Sequence, residues 1–301
     1  MREWLEYAAA RLALKFLGLL PRPMARAVSA WIAALAYLFR PSLRRAALLN
    51  LRLAFPEWTD AQRRRAVRGL VRHMGWMGGE FSQFPKYTRE NIERIVVLDG
   101  FENFAAAERR GKGVVFLTGH MGAWELAPFA HALYGHLLHF LVRPIDNARV
   151  DALVNRYRCL SGNTPIDKNH SARAMLKILH EGGTVGILMD QNTSLDEGVF
   201  VDFFGIPACT TTGLARIALH TDAAVVPGYI YWDAALRKYR LRFEPAVGLV
   251  RSGDDERNIR ENTARFTRVI EDYARRYPDQ WLWVHRRWKT RPPGEKSLYP
   301  F

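Results

Sequence analysis

Apolar residues recur along this chain in two alternating patterns. Short runs rich in Val, Ile, Leu and Phe predict buried strands, and stretches with apolar residues at helical spacing predict helices between them. The predicted strands cover residues 113–118, 138–143, 184–190, 224–232 and 239–244, and the predicted helices cover residues 60–83, 123–134, 148–160, 171–180, 212–220 and 255–277. This alternation predicts an α/β fold with a mostly parallel central sheet covered by helices.

The first 42 residues follow a different pattern. Residues 4–20 mix charged and apolar positions, two prolines follow, and residues 27–39 form an uncharged run of 13. Neither stretch reaches the roughly 18 apolar residues that mark a spanning helix, and no signal-peptide cleavage site follows. We therefore predict membrane-associating amphipathic helices over residues 1–42 and a catalytic α/β domain over residues 43–301. The alternative is a helical hairpin packed on the protein's own core.

Composition sets the physical limits. The chain has 301 residues, 49% of them hydrophobic, which is enough to bury a full core. Its formal net charge of +14 indicates an anionic partner. An anionic membrane surface, an acidic protein or substrate and nucleic acid all fit, as do solvated arginines on helix faces. Because the basic pairs are scattered and no nucleic-acid-binding motif is present, we expect no nucleic-acid partner.

Cysteine and histidine spacing gives no sign of a metal site. Cys159 and Cys209 are too far apart for a ligand motif, and we expect reduced thiols. His131, His136 and His139 have no acidic or cysteine partner among them, so packing or surface roles are favoured. We expect neither a metal nor a cofactor.

The segment with the clearest chemistry follows the predicted strand at residues 113–118. His120 is a candidate general base, since an imidazole is matched to proton transfer near neutral pH. Glu125, five residues later, is the candidate group to hold the other ring nitrogen. The two would diverge by about 140° on one continuous helix, so the loop between them must bend. Gly119 and Gly122 permit unusual backbone angles and close approach of a substrate, and nearby backbone N–H groups would stabilise an oxyanion.

Two further strand ends point to the same edge of a parallel sheet. Arg143 ends one predicted strand and Asp190 ends another, followed by Gln191, so all three are candidates for holding the polar part of a substrate. A salt bridge between Arg143 and Asp190 is the alternative. Phe203, Phe204 and Pro207 are candidates to line an apolar groove, although aromatic runs are more often core.

The segment from Thr118 to Leu126 resembles the catalytic box of the bacterial lipid A biosynthesis late acyltransferases, the lauroyl and myristoyl acyltransferase-like family of the lysophospholipid acyltransferase superfamily. Similar blocks follow in order between residues 44 and 292. The glycerolipid branch of the superfamily usually begins its box with Asn and ends it with Asp. This chain has Gly119 and Glu125 at those positions, which favours the glycolipid branch.

The resemblance implies an enzyme that moves an acyl chain from an acyl carrier protein thioester, or from acyl-CoA, to a hydroxyl of a lipid A precursor. It implies His120 and Glu125 as the catalytic pair and Arg143 as a residue that holds the polar part of the substrate. It also implies attachment to the cytoplasmic face of the bacterial inner membrane. Mannosylated phosphoinositide, lysophospholipid and amino-acid lipids remain alternative acceptors, and a non-catalytic basic peripheral membrane protein is the alternative from another class.

Overall fold

The computed structural model describes residues 1–167 and 171–300; Phe301, the end of the second predicted domain, lies outside the described residues. Its strands are β1 Val96–Asp99, β2 Val114–Thr118, β3 His139–Val142, β4 Thr164–Asp167, β5 Thr184–Leu188, β6 Gly198–Phe203, β7 Ile206–Thr211, β8 Ala224–Asp233 and β9 Lys238–Phe243. Its helices are α1 Arg2–Leu19, α2 Arg22–Leu38, α3 Pro41–Ala54, α4 Asp60–Gln83, α5 Phe101–Glu108, α6 Leu126–Leu133, α7 Ala148–Arg158, α8 Ser171–His180, α9 Gly213–Thr221 and α10 Asp255–Arg276.

Seven strands form one sheet in the order β1-β9-β8-β2-β5-β3-β4. Every neighbouring pair is parallel except β8 and β9, which are antiparallel, and β6 and β7 form a separate antiparallel hairpin. The α/β fold with a mostly parallel sheet is therefore confirmed. The strands β1, β4, β6 and β7 were not among the predicted ones.

The sequence explains where the principal helices begin and end. Helix α4 has the predicted bounds because the Thr59 side chain accepts a hydrogen bond from the Gln62 backbone, and the Gln62 side chain accepts one from the Thr59 backbone. The side chains of Asn147 and Asp254 cap α7 and α10, because each accepts a hydrogen bond from a backbone N–H in the first turn of its helix. These caps fix the residues at which the three helices begin.

Helix α2 packs closely against α4. A Cβ at Gly75 would lie 2.3 Å from Ala30 Cα, so this crossing requires glycine. The guanidinium of Arg22 binds the fully buried Glu80 carboxylate, and that of Arg26 lies 3.8 Å from the centre of the Trp76 ring. The predicted alternative, in which the helices of residues 1–42 pack on the protein's own core, is therefore correct for one side of α2.

Helices α1 and α2 expose large apolar residues on their other side: Trp4, Leu5, Leu12, Phe16, Leu19, Met24, Trp31, Ile32, Leu38 and Phe39. Among the described residues, no helix has the length and hydropathy needed to cross a bilayer. The predicted contact with a membrane surface therefore stays a prediction.

Two apolar clusters form the core. One contains Phe55, Phe203, Phe204, Trp281 and Trp283 among its residues. The other contains Phe84, Phe104, Phe116, Phe129 and Phe243. Side chains alternate along β2, so that Val115 and Leu117 belong to the first cluster while Val114 and Phe116 belong to the second. The two clusters therefore lie on opposite faces of the sheet.

Candidate active site

His120 lies two residues beyond the carboxyl end of β2, in the loop that leads to α6. Gly122 in this loop has φ +56°, and a Cβ there would lie 2.3 Å from the Ile230 carbonyl oxygen, so only glycine fits. Its backbone N–H donates to the Gln280 carbonyl at 2.9 Å. That N–H is therefore already used and is excluded as an oxyanion donor, while the prediction for the backbone near Gly119 stays a prediction.

The partner of the His120 ring is Asp190. Asp190 Oδ1 lies 2.8 Å from His120 Nδ1, and Asp190 Oδ2 accepts the His120 backbone N–H at 2.9 Å. Strands β2 and β5 pair with Thr118 opposite Leu188, so residues two positions beyond each strand end meet. The prediction placed Asp190 on the polar part of the substrate or in a salt bridge with Arg143. Instead, both of its oxygens bind His120.

Glu125 occupies a neighbouring position with a different partner. It is the residue immediately before α6, and its carboxylate takes a two-fold contact from Arg158, with Nε to Oε2 at 2.8 Å and Nη2 to Oε1 at 2.5 Å. The predicted hydrogen bond from the His120 ring to Glu125 is therefore not present; the ring pairs with Asp190 instead. The loop turns His120 toward the end of β5 and Glu125 toward the last turn of α7.

The two carboxylates act on the charge of His120 together. Burial alone would lower the pKa of His120, but the charge and hydrogen bond of Asp190, with the charge of Glu125, raise it above its ordinary value. Burial would raise the pKa of Asp190, but His120 holds it below its ordinary value. Asp190 is therefore an ionised, buried carboxylate fixed on Nδ1, and Nε2 is the ring nitrogen left to accept a proton.

A cavity of about 270 Å³ opens beside His120. Its polar lining is Thr118, His120, Glu125, Arg143, Arg158 and, farther in, His131. The rest is largely apolar and comes mainly from β2, β3, β5, β8, β9 and α6: Phe116, Trp124, Ala127, Pro128, Leu138, Phe140, Leu141, Val142, Gly186, Leu188, Gly228, Leu241 and Phe243. The site thus joins a general base to an apolar slot between α6 and the sheet.

The remaining predicted residues lie around this cavity and the His120 ring. Arg143 lines it with an exposed side chain. Gln191 Nε2 lies 3.4 Å from both nitrogens of the His120 ring, so its amide is close to where a reacting atom would sit. A Cβ at Gly119 would lie 3.2 Å from Asp190 Cβ, so glycine lets Asp190 approach this loop.

Helix α1 is attached to the mouth. The Asn147 side chain donates to the Glu3 carbonyl and the Glu6 carboxylate, each at 2.9 Å. The guanidinium of Arg149 lies 3.9 Å from the centre of the Trp4 ring. The segment that carries Arg143 is therefore held by the first turns of the chain.

The predicted apolar groove at Phe203, Phe204 and Pro207 is wrong in position. Phe203 is fully buried against Trp281 and Trp288, with ring centres 5.5 and 5.7 Å away. It belongs to the core on the opposite face of the sheet from Phe116. Residues 206–211 pair with 198–203 in the β6–β7 hairpin, so this apolar run serves packing.

Sequence reasoning missed Arg287, which supports the residue after Asp190. Its buried guanidinium donates to the carbonyls of Gln191 at 3.4 Å and Cys209 at 3.0 Å, and to Thr210 Oγ1. Burial lowers the pKa of Arg287 to about 10, so it remains charged near Asp190. Arg287 lies near the end of the region of similar blocks between residues 44 and 292, but its contacts with residues 191 and 209 depend on the fold.

A paired histidine and carboxylate at the carboxyl edge of an α/β sheet, with an apolar cavity beside them, define the general-base class of group-transfer sites. In the part of the chain that the structure describes, no cluster of His, Cys, Asp or Glu is arranged to hold a metal ion.

Comparison with known proteins identifies the family. The profile described as bacterial lipid A biosynthesis acyltransferase matches residues 1–290, and the chain belongs to this family. Three relatives from Escherichia coli K12 are the lipid A biosynthesis lauroyltransferase, palmitoleoyltransferase and myristoyltransferase, at 28, 27 and 26% identity. The alignments cover 93, 93 and 86% of this chain and 90, 90 and 81% of the relatives. The protein is accordingly an O-acyltransferase, which favours the catalytic interpretation over that of a non-catalytic basic protein.

Proposed function

We propose that this enzyme transfers a fatty acyl chain from an acyl carrier protein thioester to a hydroxyl of a lipid A precursor. The observation that carries the proposal is the His120–Asp190 pair beside an apolar cavity. The family and the names of the relatives support lipid A precursor as the acceptor. Acyl carrier proteins are acidic, and a chain with net charge +14 attracts such a donor.

In the proposed reaction, His120 Nε2 removes the proton of the acceptor hydroxyl as its oxygen attacks the thioester carbonyl. The C–O bond forms, the C–S bond breaks, and the leaving thiolate takes the proton from the imidazolium. Asp190 fixes the tautomer and stabilises the imidazolium through Nδ1. Glu125 adds negative charge near the ring while Arg158 holds its position. The Gln191 amide is placed to donate to the oxyanion.

The cavity between α6 and the sheet is the proposed site of the acyl chain. Its inner lining is apolar, which favours burial of methylene groups, and its mouth carries the charged groups. Arg143 at the mouth is placed for a phosphate or sugar oxygen of the acceptor, as the resemblance implies.

We further propose that the exposed apolar residues of α1 and α2 rest on the inner-membrane surface, with the site on the cytoplasmic face, where the thioester donor is made. Trp4 and Trp31 are exposed on these helices, and tryptophan favours the membrane interface. Arg149 lies against the Trp4 ring of α1 and Arg143 is exposed six residues before it, so both would meet anionic headgroups.

Mass spectrometry of a detergent-solubilised reaction tests the proposal. The reaction contains acyl carrier protein thioesters of several lengths, or the matching acyl-CoA, with a tetra-acylated lipid A precursor. We expect the precursor to gain one acyl mass with the carrier protein donor, and His120→Ala to abolish the gain. The exposed His220 on α9 supplies a matched control, since His220→Ala leaves the site intact.

No gain with folded enzyme and any donor would overturn the lipid A assignment. Acylation of lysophospholipid, mannosylated phosphoinositide or amino-acid lipid in the same assay would identify one of those acceptors instead. Equal rates with acyl-CoA would overturn the carrier protein assignment alone.

A further inference from the structure

The cavity contains a second histidine, at its inner end. His131 lies on α6, six residues after Glu125, and lines the same cavity as His120. Because α6 connects two strands, β2 and β3, that run in the same direction, it runs back along the sheet away from the mouth. At about 1.5 Å per residue, His131 lies about 9 Å farther in than Glu125. On the sheet side, Phe116 lies about 7 Å farther in than Thr118.

His131 and aromatic rings together close this inner end. The centre of the His131 ring lies 5.1 Å from that of Phe116 and 4.8 Å from that of Phe104, both edge to face. The Phe243 ring is 5.8 Å away. These rings leave His131 with 1% of its surface exposed.

Neither ring nitrogen of His131 has a hydrogen-bond partner of normal geometry among the described residues, and the nearest polar group is the backbone of His136. Burial lowers the pKa of His131 to about 3, so the ring is neutral at physiological pH and presents one donor and one acceptor. A buried polar group without a partner destabilises the fold, whereas leucine or phenylalanine would fill the same space without that cost. Packing alone therefore does not account for histidine at this position.

The sheet leaves the path to His131 open. Gly186 and Gly228 line the cavity where neighbouring strands would carry side chains. A Cβ at Gly186 would meet nothing closer than 3.8 Å, so this position leaves real space. A Cβ at Gly228 would lie 3.1 Å from the Phe116 ring, so glycine there lets that ring take its place.

We infer that His131 is the residue that sets the longest acyl chain this enzyme accepts. The inference rests on the proposed function, since it takes the cavity as the acyl site. A chain that ends short of His131 lies against apolar residues throughout. A longer chain must press its terminal methyl against the imidazole, which blocks the chain sterically and places an apolar group against a polar ring.

The test measures kcat/KM for acyl carrier protein thioesters graded from octanoyl to palmitoyl, and uses the ratio of long to short chains as the readout. His131→Ala removes the ring, and we expect the ratio for chains just above the wild-type limit to rise by about tenfold or more, the scale for one methylene in an apolar pocket. His131→Phe keeps a ring of similar shape without nitrogens. We expect it to keep a length limit, since the steric block remains.

Several controls separate the possible outcomes. His220→Ala, on α9, should leave the ratio unchanged, and thermal unfolding of each variant shows whether it is folded. If wild type transfers chains but folded His131→Ala and His131→Phe both keep the wild-type length profile, the inference is overturned while the proposed function stands. If wild type transfers no chain, the proposed function itself has failed. A general loss of rate with an unchanged ratio also contradicts the inference, because a purely structural role gives that result.

Discussion

Asp190 binds His120 twice, once at the ring nitrogen Nδ1 and once at the backbone N–H. One buried carboxylate therefore fixes both the orientation of the imidazole and the loop that carries it. The two residues are 70 apart in the chain, and the register of β2 with β5 brings them together.

Asp190→Asn tests this relationship. The amide keeps the shape of the side chain but loses the charge that stabilises an imidazolium and selects the tautomer. We expect kcat/KM for acyl transfer to fall by about 10²- to 10⁴-fold, the scale of lost acid–base assistance. Asp202→Asn, at an exposed position on β6, is the matched control. A folded Asp190→Asn enzyme with near-normal turnover would contradict the assignment.

Glu125 and Arg158 form a unit, and a double-mutant cycle shows how they act. Glu125→Ala alone leaves a half-buried guanidinium without its carboxylate, and we expect turnover to fall by about 10²-fold or more without unfolding. If Glu125 also supplies charge to His120, Arg158→Ala alone should cost less than Glu125→Ala, and the double variant should remain as impaired as Glu125→Ala.

The opposite pattern, in which removing Arg158 restores the Glu125→Ala enzyme to near-normal rates, would limit Glu125 to a structural role. Unchanged turnover in the single variant Glu125→Ala would show that Glu125 has no role in the reaction. Both readouts use kcat/KM together with the melting temperature of each variant.

The pH profile follows from the direction of the His120 shift. Because Asp190 and Glu125 raise the pKa of His120 above 6.5, kcat/KM should fall as the pH drops through a value above 6.5, where Nε2 becomes protonated and cannot accept a proton. In Asp190→Asn the effect of burial remains and the carboxylate charge is gone. The acid limb of the residual activity should then move to lower pH. An acid limb at the wild-type pH would contradict its assignment to His120.

The exposed apolar side of α1 and α2 predicts binding to lipid surfaces. Phe16→Glu and Trp31→Glu each replace a large apolar contact by a charge, so we expect the double variant to bind phosphatidylglycerol-containing vesicles at least about tenfold more weakly in sedimentation. Leu236→Glu, in the exposed turn between β8 and β9, removes a comparable apolar residue from elsewhere and serves as the control. Equal losses in both proteins would show that the surface of α1 and α2 has no special part.

Local patterns in the sequence predicted the regular elements well. The bounds of α4 and α8 agree with prediction because apolar spacing, and for α4 also the capping box, are properties of neighbouring positions. The edge strands β1 and β4 have only four residues each, and β4 contains a proline, so their state depends on partners that the local pattern does not contain.

In the site, too, local sequence patterns predicted some features, and others depend on contacts between distant residues. His120 was found because it lies in a distinctive loop after a buried strand, and the strand ends placed Asp190 at the same edge. Glu125 was taken as its partner because it is near in sequence. Only the strand register reveals that Asp190 occupies that role, and only packing reveals that the cavity beside His120 lies on the Phe116 side of the sheet and not on the Phe203 side.

The attachment of α1 to the segment that carries Arg143 has one more consequence. The Trp4 ring contacts Arg149, and the Glu3 carbonyl accepts a hydrogen bond from Asn147, which caps α7. The helix proposed to lie on lipid therefore also supports the cavity entrance. Docking on a bilayer would then tilt and steady the entrance itself, besides raising the local supply of acceptor. Turnover in such an enzyme would respond to the physical state of the surface, including its packing and curvature, even with dissolved donor held constant.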